Sequence, residues 1–235
     1  MRGRRLLAGA TTVALLGAAT AQAAVIRGTS GSNGIGGTNA ADRIFGLAGN
    51  DRITGRGGND RLYGQAGRDL IFGGRGNDGI SGASGNDRAY GQDGNDTLSG
   101  GRGHDRLFGS EGRDRLFGGL GNDRLFGSGG DDVVFGGAGA DRLDGKQGDD
   151  ELDGGTGNDV LGGGVGDDVV DGGTGNDRLV RDPGDDDIDA GPGDDFVDAR
   201  DRAADRIDCG DGEDTVIVDD AEDGVFDCEN VQFPA

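Results

Sequence analysis

Residues 118–135 read GGLGNDRLF GSGGDDVVF. Both nonapeptides place Gly first and fourth, Asp sixth and a branched aliphatic eighth. Carried outward, this frame runs from Gly37 to Asp198 as eighteen contiguous units with no insertion or deletion. Gly occupies position one in sixteen of them and position four in all but one, where Ala40 stands. Position six is Asp in all eighteen, and position eight is Ile, Leu or Val except at Ala89. A strict short period marks a stacked array whose units cannot bury their apolar residue alone.

The glycine-rich positions one to six read as a turn. Glycines one and four can take positive φ there. Position five is Asn or Asp in thirteen units, the non-glycine residues that best tolerate the left-handed region. Positions seven to nine read as a short strand with its central residue facing inward. Turn, strand, turn, strand then closes a flattened parallel coil of 18 residues. Each unit lies on the unit two places earlier, about 4.8 Å away.

That stacking makes position six the decisive one. It places Asp42, Asp51, Asp60, Asp69, Asp78, Asp87, Asp96, Asp105, Asp114, Asp123, Asp132, Asp141, Asp150, Asp159, Asp168, Asp177, Asp186 and Asp195 in two columns of carboxylates. Unit charges about 5 Å apart repel by about 3 kcal/mol at an effective dielectric of 20. One inward aliphatic per nine residues cannot offset that repulsion and the backbone entropy of the other eight. Cations between the turns would do so, and metal binding would then supply much of the folding free energy. Carboxylate and carbonyl oxygens are hard donors suited to several Ca²⁺ ions. The array has a single His, His104, and no Cys, so zinc and copper are poorly served.

Composition agrees. The 235 residues include 55 Gly, and 45 acidic against 23 basic residues give a net charge of −22. Such a charge argues against nucleic acid and anionic membrane surfaces as partners. The asymmetry is internal: residues 37–135 carry 12 basic and 14 acidic groups, residues 136–235 carry 7 and 31.

Four regions are expected. Residues 1–23 read as a signal peptide: Arg2, Arg4 and Arg5 precede an apolar run, and Ala21-Gln22-Ala23 supplies the cleavage pattern. The export route, general or twin-arginine, stays open. Residues 24–36 form an N-terminal cap with a faded repeat, in which Asn33 replaces Asp. Residues 37–198 are the array. Residues 199–235 hold degenerate repeats and a C-terminal cap, tied back by the only two cysteines, Cys209 and Cys228. In an exported chain an isolated pair is expected to be a disulfide rather than two free thiols.

Copies such as GGRGNDGIS (Gly73–Ser81), GGLGNDRLF (Gly118–Phe126) and GGTGNDVLG (Gly154–Gly162) resemble the GGxGxDxUx nonapeptide of RTX (repeats-in-toxin, haemolysin-type) calcium-binding proteins. The resemblance spans Gly37–Asp198 and, more loosely, reaches Ile217. It implies an all-β, right-handed parallel β-roll, here of about nine turns with a C-terminal cap. It also implies Ca²⁺ between successive turns, held by position-six Asp and loop carbonyls, with Asp42 and Asp60, then Asp51 and Asp69, flanking successive ions. Large members add an effector domain and an uncleaved C-terminal export signal; this chain looks like the small exported form, so a toxin activity is not implied.

No HExxH, GxSxG or GK[ST] loop occurs, and paired acids such as Asp131-Asp132 recur as positions five and six. An enzyme is therefore not expected. Two outward features remain. Position nine is aromatic at Phe45, Tyr63, Phe72, Tyr90, Phe108, Phe117, Phe126 and Phe135, then mostly Asp from Asp144 onward. Position seven is Arg in nine units. Stacked aromatic and Arg–Asp ladders account for both. The alternative is an adhesin or matrix protein using this face to bind a surface or polymer.

Overall fold

The computed structural model describes the backbone of Thr11–Val13 and residues 22–180, 183–218 and 224–233. The expected leader lies outside these residues except for Thr11–Val13, residue 22 and residue 23. Thr11–Val13 is a strand paired in parallel with Asn33–Ile35.

Every pairing is parallel and joins a strand to the next but one in sequence. The result is two sheets, of 13 and 12 strands, wound as one solenoid. Register holds at i to i+18 along the array, as Arg43 on Arg61 and Ile44 on Leu62 show. In the C-terminal region it becomes i to i+19, as in Asp187 on Arg206 and Phe196 on Thr215. The extra residue of that unit is taken up at the bend Asp201–Ala203, where Arg202 has φ 78°. The coil makes about 11 turns rather than nine. Faded units at both ends join it: Val25–Arg27 and Asn33–Gly36 at one end, Gly224–Phe226 and Asn230–Gln232 at the other.

The strands are longer than three residues. From Arg43–Ala48 to Val160–Val165 each covers six, from position seven through the next unit's position three. Beyond Val169 they shrink to between two and four. Pro183 and Pro192, both at position three, stand one turn beyond Val165 and Thr174. Proline has no N–H to extend the ladder there.

The core is one residue wide. Position eight forms a continuous buried column from Ile44 and Ile53 to Val197, prolonged by Ile26 and Ile35 before it and by Ile207 and Val216 after it. Position one is buried as well, so two residues per strand face inward. The reason for Gly there is space. Its φ is not positive; a Cβ on Gly55 would collide with Asp60 Oδ2 and the Gly73 carbonyl oxygen. Position four does need positive φ, as at Gly58 (φ 99°), and so does position two, as at Leu47 (φ 83°) and Arg56 (φ 89°). Position five does not adopt the left-handed region. Its side chain serves the stack instead: Asn50 accepts the Arg68 N–H at 2.8 Å and Asn59 that of Asn77 at 3.1 Å.

The Cys209–Cys228 disulfide forms, with its Cα atoms 5.1 Å apart, and fastens the last strands to the coil. Crowding separates two otherwise similar glycines. Gly91→Ala at position one would drive a methyl into Asp96 Oδ2, whereas Gly129→Ala at position three finds its nearest atom at 3.5 Å. The first substitution should destabilise by about 1–3 kcal/mol or more. The second should be neutral or stabilise by about 0.4–1 kcal/mol. Thermal melts of the two variants at one Ca²⁺ concentration check this.

Candidate metal centre

The turn between strands carries Asp at its last position, and the main chain there bonds from turn to turn. The N–H of position seven donates to the carbonyl of position six one turn earlier, as Arg61 does to Asp42 at 2.8 Å. This turns the position-six side chain into the interior. All eighteen carboxylates are buried, together with Asp205 and Asp214.

The two oxygens of each carboxylate have different surroundings. Oδ1 accepts the N–H of the Asp one turn earlier: Asp42 N–H to Asp60 at 2.7 Å, Asp87 to Asp105 at 2.7 Å, Asp123 to Asp141 at 2.7 Å. An amide hydrogen therefore separates successive carboxylates of a column, a device that spacing alone did not disclose. Oδ2 is buried and accepts no hydrogen bond from the protein at every position-six Asp from Asp51 to Asp159, and at Asp177, Asp195 and Asp214. A buried anionic oxygen without a partner is costly. Its recurrence at every turn points to a partner of another kind.

Main-chain oxygens converge on the same region. At most turns, as at Gly55, the position-one carbonyl of the following turn and the Asp Oδ2 both crowd the Cα hydrogen of the position-one Gly. Position-four carbonyls aim along the stack, as Gly58 does toward Gly76. From Gly49 to Gly193 the position-four carbonyls accept no hydrogen bond among the described residues. Nor do three His, Cys, Asp or Glu side chains meet anywhere among them. An ion here would take one or two carboxylates and draw its other ligands from carbonyls. That hard, all-oxygen set fits Ca²⁺.

The ends of the columns differ. Asp42 is satisfied: Thr38 donates its N–H at 2.6 Å and its hydroxyl at 3.0 Å to Oδ2, and the Ala24 N–H reaches Oδ1 at 2.6 Å. Asn33 accepts the Thr29 N–H at 2.6 Å in the same manner. At the other end Glu229 accepts the Asp214 N–H at 3.0 Å, taking the place of a further Asp. Thr38 and Glu229 lie outside the nonapeptide rule, so the sequence pattern did not mark them. The only hint of Glu229's role is that an acid follows the second Cys.

Burial raises these carboxyls, the amide bond from the preceding turn opposes the rise, and neighbouring acids add to it. Asp78, Asp87, Asp114, Asp123, Asp132, Asp159 and Asp195 are pushed up to about 7. Asp60, Asp96 and Asp150 are pushed up to about 6. Unfolded Asp titrates near 3.9. Between about pH 4 and 7 the metal-free coil thus holds more protons than the open chain, and its stability falls as pH rises through that window. In chelator, the melting temperature should be higher at pH 5 than at pH 8. A metal-free melt that instead rises from pH 5 to pH 8 contradicts this account of the column.

On the outer faces the expected aromatic ladder is present. Phe72, Tyr90, Phe108 and Phe126 stack on one sheet with centroids 5.1, 4.7 and 5.0 Å apart. Phe45–Tyr63 and Phe117–Phe135 stack on the other. The Arg–Asp ladder is not. None of the nine position-seven arginines forms a salt bridge among the described residues. Register sets Arg beside Arg, and the Asp that could answer it is buried. Arg43, Arg52 and Arg178 lie over Phe rings instead. From Asp153 the outer column becomes acidic, with Asp153, Asp171, Asp189 and Asp208 in register.

No curated protein matches the chain. The family model of the RTX calcium-binding nonapeptide repeat, four copies long, matches residues 36–71, 56–89, 90–125, 108–143, 117–152 and 144–179. These matches cover more than half of the chain and the same columns of buried aspartate, and the chain belongs to the RTX calcium-binding repeat family.

Proposed function

We propose that this is a secreted Ca²⁺-binding protein whose coil is folded by the ions it binds. The observation that carries the reading is the Oδ2 atom left without a partner turn after turn. Asp51 to Asp195 would hold the ions, with the position-one and position-four carbonyls as co-ligands. Asp42 contributes least, since Thr38 already satisfies it. Bound Ca²⁺ would neutralise charge that otherwise opposes stacking. Where Ca²⁺ is scarce the chain stays open, and where it is abundant mass action closes it.

Export is supported by the basic, apolar and small-residue order of residues 1–23 and by the disulfide. The role is one of binding without catalysis: the acidic pairs that could imitate a catalytic dyad belong to the repeat, and His104 stands where Asn is usual.

Far-UV circular dichroism of the chain from Ala24 onward, titrated with Ca²⁺ or Mg²⁺ after chelation, tests the reading. A cooperative coil-to-β transition is expected with Ca²⁺ and not with equal Mg²⁺. Full β signal in chelator at pH 8 removes its basis. Asp105→Asn keeps an oxygen for the Asp87 amide but loses the carboxylate charge. At Ca²⁺ a hundredfold above a site's dissociation constant, that variant should lose up to about 2.7 kcal/mol, read as a lower melting temperature in Ca²⁺.

A further inference from the structure

The strands Arg88–Asp93, Arg106–Glu111, Arg124–Gly129 and Arg142–Gln147 pair in register, so their first residues are direct neighbours, one per turn. Four guanidinium groups thus rise along one face about 4.8 Å apart. Arg88, Arg124 and Arg142 are exposed and Arg106 is half-buried. Among the described residues none of the four has a salt bridge or a ring beneath it. Like charges directly opposite weaken a sheet, and a β-branched residue would serve this position better. In a chain of net charge −22, a column of unpaired cations calls for an external anion.

The surroundings say which kind. A groove of about 440 Å³ is lined by Arg88, Arg106 and Arg124 of this column together with Arg68, His104 and the buried Asp87 and Asp105. His104 Nδ1 accepts the Asn122 N–H at 2.8 Å, so the neutral ring keeps its proton on Nε2 as a donor. The neighbouring column of Phe72, Tyr90, Phe108 and Phe126 stacks ring on ring. Those faces are occupied by one another and offer no platform for a nucleic-acid base. Guanidinium forks do match carboxylate and sulfate groups, and a linear sugar chain bearing one such group per unit would meet successive turns.

We propose that Arg88, Arg106, Arg124 and Arg142, with Arg68 and His104, bind an acidic polysaccharide laid along the coil axis. The site needs the folded coil, and its anion-binding groups are the outward arginines and His104 rather than the buried Asp87 and Asp105 that line the same groove.

The experiment is calorimetric titration of the Ca²⁺-folded chain with dextran sulfate, with uncharged dextran as control and circular dichroism verifying the fold of every sample. Dextran sulfate should bind, more weakly as salt rises, and dextran should not. R106Q/R124Q should lose about tenfold or more in affinity with an unchanged β signal, while R43Q/R61Q on the other sheet should keep it. Equal affinity in R106Q/R124Q and the unsubstituted chain overturns the proposal. So does tighter binding of single-stranded oligothymidine than of dextran sulfate, or self-association of the polymer-free chain that R106Q/R124Q abolishes, since the column would then serve nucleic acid or a second copy.

Discussion

Everything in this coil depends on how a buried carboxylate is satisfied once per nine residues. One oxygen is held by the main-chain amide of the preceding turn, as Asp42 N–H holds Asp60 at 2.7 Å. From Asp51 to Asp159, and at Asp177 and Asp195, the other accepts no hydrogen bond among the described residues. Half of each aspartate is therefore structural in the ordinary sense, a hydrogen bond that sets the pitch. The other half is a demand for positive charge. Burial raises these carboxyls, so protons answer that demand at acidic pH, and the proposed Ca²⁺ would answer it at neutral pH. The fold is a device for presenting that demand at regular intervals.

The glycines answer the same constraint. Position one is Gly because the carboxylate and a carbonyl press on its Cα, and position four because the chain turns there through positive φ against the turn below. With so much of each unit given to the turn, the apolar contribution is a single column of Ile, Leu and Val. Such an array needs protection where it stops. Thr29 and Thr38 close the columns at one end, Glu229 and the Cys209–Cys228 bridge at the other. The outer faces add ring stacking in the first half and give way to acidic residues in the second.

Much of this was legible. The nonapeptide frame gave the parallel coil, the 18-residue register, the position-eight core and the two aspartate columns, because a strict repeat forces equivalent residues into equivalent places. Less legible was what lies between them. The resemblance implied aspartates flanking ions, and the structure adds a main-chain amide that holds one oxygen of each pair, as Asp42 N–H holds Asp60. The frame suggested a turn role for position five, and the structure uses Asn50 and Asn59 as acceptors for the next turn. It suggested Arg answered by Asp, and register sets Arg106 beside Arg88 and Arg124.

The sequence by itself determined periodicity, strand direction, the buried residues and the oxygen-rich ligand chemistry, since each follows from residue type at a fixed interval. Only the tertiary structure decided which oxygen of the column aspartates is free, why position one favours glycine, and where the columns end. Those depend on distances between turns 18 residues apart, and a local pattern does not encode such distances.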